Sequence, residues 1–246
     1  FKLLKENVTG MDYWNKSNEA KETYRSMIVY GIDGREEEIT KETALEFMEV
    51  LIKYMDKGLI KAFNKETGIY DTYFINEAVK YETIKDKDGK AITNKDNQPF
   101  VHITEFTTRA VPAFLEGQVH MMRTYPGISQ QLHKMVKKSE LYDSSLGMFK
   151  VSANIMDETK EIGRQNVFPR GWLENEAVFL HMEYKYFLEM LRSGMYKEFF
   201  EYLQKSFVPF MDASVYGRSI LENSSFIASS VHPDKRIHGT GYVSRL

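Results

Sequence analysis

Two long runs near the start of the chain alternate apolar and polar positions with the spacing of an amphipathic α-helix. In residues 12–30, Ala20, Tyr24, Met27 and Ile28 recur four, three and one positions apart, so they share one side of a helix. A second and stronger stripe predicts a helix over 41–63. Its apolar positions are Ala44, Leu45, Met48, Leu51, Ile52, Met55, Leu59 and Phe63.

The period then changes from helical to alternating. Residues 69–107 are rich in β-branched and aromatic side chains and contain two polar turn segments, at 86–89 and 94–98. This pattern predicts a small β-rich excursion inserted among helices.

Helical spacing returns in the run from Arg170 to Leu191, which also holds an unusual number of polar residues. We predict a helix over 172–192, followed by a helix over 195–208 that Pro209 ends. On such a helix Glu174 and His181 would share a face about two turns apart, roughly 10 Å. The density of polar groups favours a helix that lines a ligand cleft.

Long polar segments join these helices, and 154–171 is the longest of them. A mainly α fold built from helical hairpins, either as an array or as part of a toroid, is typical of this arrangement. The chain opens on Phe1 without a methionine and stops at Leu246 in mid-pattern. These ends predict a fragment of a larger protein.

Composition narrows the function classes. The net charge of −2 shows no basic field for nucleic acid, and no apolar run has the length of a membrane helix. The absence of cysteine excludes disulfides and thiolate metal sites and is compatible with a cytoplasmic protein. Six histidines occur without a His-x-x-x-His pair, so no metal is expected. The 15 Tyr, 16 Phe and 2 Trp fit either an aromatic core or sugar recognition.

Two carboxylates followed by an amide stand out as candidate sugar ligands. Glu174-Asn175 and Glu222-Asn223 each place a carboxylate beside an amide, and such a pair is able to hold the vicinal hydroxyls of a sugar. The alternative for Glu174 is that its charge only stabilises the first turn of a helix. The alternative for His181 is a hydrogen-bonded structural histidine.

The run Trp172-Leu-Glu-Asn-Glu-Ala-Val-Phe-Leu-His181 resembles the Glu-Asn-Gly-Gly-Ile-Phe-x-His segment of the cellobiose phosphorylase family, glycoside hydrolase family 94 with its β-glucan phosphorylase relatives. Phe114 to His120 is similar to that family's Gln-x-Trp segment, with His120 in place of Trp. Residues 216–225, 232–234 and 238–239 are similar to a longer variant of the family. The resemblance is weak over most of the chain and specific from about 165 to 246.

The resemblance implies an (α/α)6 toroid, of which residues 1–246 would be one part with the β-rich insertion at 69–107. It also implies inverting phosphorolysis, in which inorganic phosphate is the co-substrate, a β-linked disaccharide or glucan is cleaved to glucose 1-phosphate, and no cofactor takes part. Carried over by position, Glu174 would bind the acceptor-side sugar and His181 would contact phosphate. Further candidate substrate ligands are Asn175, Trp172, Gln118 and Glu222. Arg218, together with Arg164 and Arg170, is a further candidate phosphate contact without a matching motif.

Three departures from the family limit what the resemblance implies. The family's catalytic aspartate lies in a motif that has no counterpart here, so the general acid is expected outside this chain. The family's phosphate loop would follow Leu246, and the two glycines of its sugar subsite are Glu176 and Ala177 in this chain. The fragment is therefore expected to be inactive alone and to need the remainder of its own polypeptide. A hydrolase on the same toroid, a non-catalytic carbohydrate-binding helical domain and a homodimer all stay open.

Overall fold

The helices of this chain fall into two groups that differ in burial. A computed structural model describes residues 1–243, which hold eight α-helices and seven β-strands. The helices are α1 Lys2–Lys5, α2 Gly10–Ile28, α3 Lys41–Ala62, α4 Leu115–Thr124, α5 Ser129–Val136, α6 Leu180–Arg192, α7 Tyr196–Ser206 and α8 Ala213–Tyr216. None of α1, α2 and α3 contains a buried residue, whereas α4 to α8 all do.

The strands form three small sheets. Two longer strands, β1 Phe74–Thr83 and β2 Val101–Ala110, pair with each other. Two short antiparallel sheets follow, the pair β3–β4 and the triplet β5–β6–β7. Their strands are β3 Tyr142–Asp143, β4 Met148–Phe149, β5 Val178–Phe179, β6 Phe226–Ile227 and β7 Gly241–Tyr242.

The chain divides into two compact units. The first unit comprises Phe1–Lys61 and Ile75–Arg109, and the second comprises Ala62–Phe74 and the described residues from Ala110 onward. The second unit contains all the buried side chains of residues 1–243. Its centre is a cluster of aromatic rings around α6 and α7, in which Phe149 lies 4.9 Å from Tyr186 and 5.0 Å from Tyr202 between ring centroids, in tilted and edge-on contacts.

The expected mainly α toroid of helical hairpins is wrong. The fold is mixed, with small antiparallel sheets beside the helices, and nothing in the described part of the chain indicates a toroid. The predicted polar segment at 154–171 contains two short 3-10 helices, Lys160–Ile162 and Arg164–Val167, and the short strands lie outside it. In addition, the long helices α2 and α3 do not form a buried layer, because their apolar side chains stay exposed.

Several local predictions are confirmed. The helices predicted at 12–30, 41–63 and 195–208 exist as α2, α3 and α7, with ends within a few residues. The β-rich excursion at 69–107 is the β1–β2 sheet, and both predicted turn segments close with a backbone hydrogen bond, Gly89 to Asp86 and Asn97 to Asn94. The helix predicted over 172–192 is wrong in its first half, because α6 begins only at Leu180.

Candidate functional site

Two segments that are far apart in sequence meet in the triplet sheet of the second unit. β5 pairs with β6 so that Phe179 faces Phe226, and β6 pairs with β7 so that Phe226 faces Tyr242. Side chains alternate between the two faces of a sheet, so these three rings lie on one face. The opposite face holds Val178 and Ile227, which are fully buried in the core with Met148 and Tyr216.

Trp172 extends the row of rings on that face. Its ring centroid lies 5.1 Å from that of Phe226 and 4.4 Å from that of Tyr242. Phe226 is buried, but Trp172, Phe179 and Tyr242 keep part of their surface in solvent. We call Trp172, Phe179, Phe226 and Tyr242 the aromatic face.

A tight turn places Glu174 beside the aromatic face. Trp172 and Asn175 bond to each other through both backbone N–H groups at 3.1 Å, so residues 172–175 form a turn. Leu173 has φ +47° and Glu176 has φ +61°, which a helix cannot accommodate. The expected helical spacing of Glu174 and His181, two turns apart on one face, is therefore wrong.

The Glu174 carboxylate is only partly used by the protein. Its side chain is 24% exposed, and its Oε1 accepts a bond from Arg164 Nη2 at 3.3 Å. Its other oxygen, Oε2, is buried and has no hydrogen-bond partner among the described residues. A buried acceptor without a partner is costly, so Oε2 marks a position where a hydrogen-bond donor is missing.

Asn175 has a structural role in this conformation. It is fully buried, its Nδ2 donates to the Phe168 carbonyl at 2.9 Å, and its Oδ1 accepts from the Ile155 amide at 3.4 Å. These bonds hold the loop over 154–171 against the turn. In this conformation the Asn175 side chain is therefore occupied by the backbone and shielded from solvent.

Glu176, which follows the turn, is the centre of a buried ion cluster that sequence reasoning missed. Its carboxylate accepts from Lys150 Nζ at 2.7 Å and from Arg170 Nη2 at 3.0 Å. Burial acts to raise the pKa of Glu176, but the hydrogen bonds from Arg170 and Lys150 outweigh it and hold the pKa below its usual value. The carboxylate therefore stays ionised and fixes the base of the turn.

His181 is the second residue of α6 and is exposed, rather than mid-helix as predicted. Its ring lies 5.5 Å from that of Phe179, at the edge of the aromatic face. Partial burial and the charge of Lys185 lower its pKa, against an opposing effect of Glu116. A neutral imidazole with one N–H results near neutral pH, and this N–H is a donor for an anionic oxygen.

Glu116 belongs to a small polar group on α4. The Tyr73 hydroxyl donates to Glu116 Oε2 at 2.5 Å, and His120 Nε2 lies 3.8 Å from Glu116 Oε1. Burial, followed by the contact with Glu116, raises the pKa of Tyr73 to about 12. The phenol therefore keeps its proton and acts as a hydrogen-bond donor throughout the physiological pH range.

Gln118, on the same helix, is occupied by the backbone. Its Nε2 donates to the Tyr70 carbonyl at 2.7 Å and to the Phe114 carbonyl at 3.2 Å, and its Oε1 accepts from the Tyr70 amide at 3.0 Å. Both of its donors are used and the side chain is fully buried. Gln118 is therefore not placed as a sugar ligand in this conformation.

Arg218 and Glu222 form a pair next to β6. Arg218 Nη2 donates to Glu222 Oε1 at 2.9 Å, and the Tyr216 hydroxyl holds the backbone by donating to the Glu222 carbonyl at 2.7 Å. Glu222 is exposed. Arg218 Nε is buried without a partner among the described residues, so one charged donor of this guanidinium is free.

A separate groove of the second unit contains none of the predicted ligands. It encloses about 670 Å³, and its floor includes the buried side chains of Ile69, Val111 and Ala153. Four carboxylates and one lysine also line it, namely Glu66, Asp71, Glu140, Glu158 and Lys138.

Asp143 is a second acidic residue that sequence reasoning missed. It is buried and accepts from the Ser230 amide and hydroxyl, both at 2.7 Å, which ties the loop after β6 to β3. Its signal in the sequence is Asp-Ser-Ser at 143–145, a pattern typical of a turn in which the aspartate caps the following amides.

Within residues 1–243 no three histidine, aspartate or glutamate side chains converge as a metal site would require. Over the same residues, every helix is too short or too polar to cross a lipid bilayer. No family model matches the chain, and no curated protein matches it.

Proposed function

We propose that this chain is part of a carbohydrate-active enzyme that cleaves a β-glucoside of the cellobiose or β-glucan type by inverting phosphorolysis. The observation that carries the proposal is the convergence of the two segments that resemble the phosphorylase family. Residues 172–181 and 216–239 are distant in sequence, yet their strands β5 and β6 pair with each other. Together with Tyr242 of β7, which lies outside both segments, they build the aromatic face.

The sugar side of the proposal is supported by the aromatic face and Glu174. A partly exposed ring offers an apolar face for the C–H groups of a pyranose, and Tyr242 adds a hydroxyl. Glu174 Oε2, which has no partner among the described residues, supplies the acceptor that a sugar hydroxyl needs at the edge of that surface.

The phosphate side is supported by two donors. The exposed His181 imidazole carries an N–H, and the free Nε of Arg218 carries a charged donor. A guanidinium is well suited to phosphate oxygens. In the proposed reaction a phosphate oxygen bonds to the anomeric carbon, the glycosidic C–O bond breaks, and an acid supplied from outside this chain protonates the leaving oxygen.

Ligand binding provides the first test. The chain has two tryptophans, so Trp14→Phe leaves Trp172 as the only tryptophan, which can be excited selectively over the 15 tyrosines. We expect cello-oligosaccharides or a β-glucan to change the Trp172 emission, and Glu174→Gln to weaken that response about tenfold by removing the carboxylate. No response to any β-linked glucan at millimolar concentration would contradict the sugar site.

Phosphate dependence provides the second test, using the full-length polypeptide that carries this chain. We expect glucose 1-phosphate to be released, and His181→Ala and Arg218→Gln each to raise the phosphate concentration required for half-maximal rate. Arg236→Gln is the matched control, because Arg236 is exposed and already paired with Asp234. Sugar release without phosphate would indicate a hydrolase, and binding without any release would indicate a binding domain.

A further inference from the structure

The loop after β6 places the ring of His232 against Trp172. The two ring centroids lie 5.7 Å apart, and the ring planes are inclined by 56°. His232 is half-buried, as Trp172 is. The aromatic face is therefore bordered by an imidazole in addition to the rings of its own sheet.

The backbone of His232 is held closely against the start of the turn that carries Trp172. A Cβ atom on Gly171 would lie 2.7 Å from the His232 amide nitrogen, so only glycine allows this approach, and Gly171 also has φ +76°. The Ser229 amide donates to the Gly171 carbonyl at 3.1 Å, and the His232 amide donates to the Ser229 carbonyl at 3.2 Å. The His238 ring closes the loop by donating from Nε2 to the His232 carbonyl at 2.8 Å. The position of His232 beside Trp172 is therefore fixed by backbone contacts.

One hydrogen bond determines which nitrogen of His232 carries the proton. The Asp234 backbone N–H donates to His232 Nδ1 at 3.0 Å. Because a backbone N–H is only a donor, Nδ1 is the acceptor, and the proton of the neutral imidazole lies on Nε2. Nε2 has no hydrogen-bond partner among residues 1–243. The ring therefore offers one N–H donor of defined position beside Trp172.

We propose that His232 is a further sugar ligand of the aromatic face, with its Nε2–H donating to a hydroxyl of a pyranose bound against Trp172. The inference rests on the proposed function, because it takes the aromatic face as the sugar site. A hydroxyl oxygen accepts the N–H while its own proton remains available to another acceptor, so an uncharged sugar suits a neutral imidazole. An apolar ring with a donor at its edge matches the C–H groups and the hydroxyls of one pyranose.

Two substitutions separate the Nε2 donor from the rest of the side chain. His232→Asn keeps an acceptor near the Nδ1 position for the Asp234 amide but has no group at the Nε2 position, whereas His232→Gln places an amide N–H near Nε2. We expect His232→Asn to raise the dissociation constant for cellobiose about fivefold to tenfold, and His232→Gln to leave it within about twofold. Calorimetry is the suitable measurement, because a change at His232 also alters the surroundings of Trp172 and hence its fluorescence. His102→Asn, at an exposed histidine of β2, is the matched control and should bind cellobiose as the wild type does.

Monodeoxy derivatives of cellobiose test whether the contact is direct. If Nε2–H bonds to one hydroxyl, the derivative that lacks this hydroxyl should bind to the wild-type and His232→Asn proteins with the same dissociation constant. A variant whose loop has merely shifted would instead lose affinity for every derivative by the same factor.

Three results would overturn the inference, and they differ in what they mean for the proposed function. Equal cellobiose affinity of the wild type and His232→Asn would show that His232 is not a ligand, while the sugar site would remain. An equal loss for every monodeoxy derivative would show that His232 only holds the loop in place. No binding of any cello-oligosaccharide to the wild-type chain would remove the sugar site and the inference together.

Discussion

Helices α3 and α6 have similar sequence patterns, but α3 is exposed and α6 is buried. Both carry apolar residues at helical spacing beside charged ones. Helix α6 has 13 residues and buries seven of them, including Tyr186 and Phe187, whereas α3 has 22 residues and buries none. A helical stripe therefore predicts that a helix forms, but it does not reveal whether the stripe has a partner within the same chain.

The polar residues differ in the same way. In the second unit Glu183 and Glu189 are buried, and each has a dedicated donor, Ser206 to Glu183 and Arg123 to Glu189. In α3 the carboxylates are exposed or nearly so, and the ion pair of Glu46 with Lys5 joins two solvated side chains. Removing the partner of a buried carboxylate in the second unit should therefore lower the free energy of unfolding much more than removing the partner of an exposed carboxylate in α3.

The largest expected effect of a single substitution is in the aromatic centre of the second unit. Phe149→Ala removes a fully buried ring that contacts Tyr142, Tyr186 and Tyr202. We expect the free energy of unfolding to fall by about 3 to 5 kcal/mol, since a cavity remains where the ring was. Urea unfolding followed by circular dichroism measures it, and a loss below about 1 kcal/mol would contradict the burial of this ring.

The next effect concerns the ion cluster beneath the Glu174 turn. Lys150→Met removes the buried ammonium and leaves Arg170 as the only cation paired with Glu176. We therefore expect the free energy of unfolding to fall by about 3 kcal/mol. The lowered pKa of Glu176 stabilises the fold above its unfolded value near 4.5, and this contribution is lost as pH falls through the folded pKa. Lys150→Met should reduce that acid-side loss, which unfolding measured from pH 6 down to pH 3 would detect.

Much of the first unit could be predicted from the sequence, because its elements are long and periodic. The ends of α2 and α3 follow from apolar spacing and from the turn residues around Gly31 and Thr40. The turn at 172–175 could not be predicted in this way. Leu173 and Glu176 adopt positive φ without being glycine or asparagine, and no local signal in the sequence marks that conformation.

The sequence predicts candidate ligands by residue type, and their roles stay predictions, but it does not predict their geometry. Trp172, Glu174, His181 and Arg218 lie in partly or fully exposed positions, whereas Asn175 and Gln118 are fully buried. Phe226 and Tyr242 were not singled out, since strands of two residues are too short to show alternation. The pairing of β5 with β6, and of β6 with β7, depends on contacts between distant segments, which the local periodicity of the sequence does not reveal.

A third prediction uses pH to separate buried from solvated carboxylates. Glu183 is fully buried, and this burial raises its pKa to about 8 despite bonds from the Phe149 amide and the Ser206 hydroxyl. The folded protein keeps this proton while the unfolded chain loses it above pH 4.5, so stability falls as pH rises from about 4.5 to about 8.

Glu183→Gln should remove that dependence. As pH rises from 5 to 8, we expect the free energy of unfolding of the wild-type protein to fall by on the order of 2 to 3 kcal/mol more than that of the variant. Comparing the change between the two pH values, rather than the absolute stabilities, cancels the cost of placing an amide at this site. Glu49→Gln in α3 is the matched control, because an exposed carboxylate should give no such difference. Equal pH slopes for wild type and Glu183→Gln would show that the Glu183 carboxylate is solvated after all.

The smallest expected effect is that of truncating an exposed apolar side chain in α3. Met55→Ala removes a side chain that is 64% exposed, so the free energy of unfolding should change by less than about 0.5 kcal/mol. Urea unfolding followed by circular dichroism measures this change. A loss of several kcal/mol would mean that the apolar side of α3 is buried within the chain, and the contrast between α3 and α6 would then disappear.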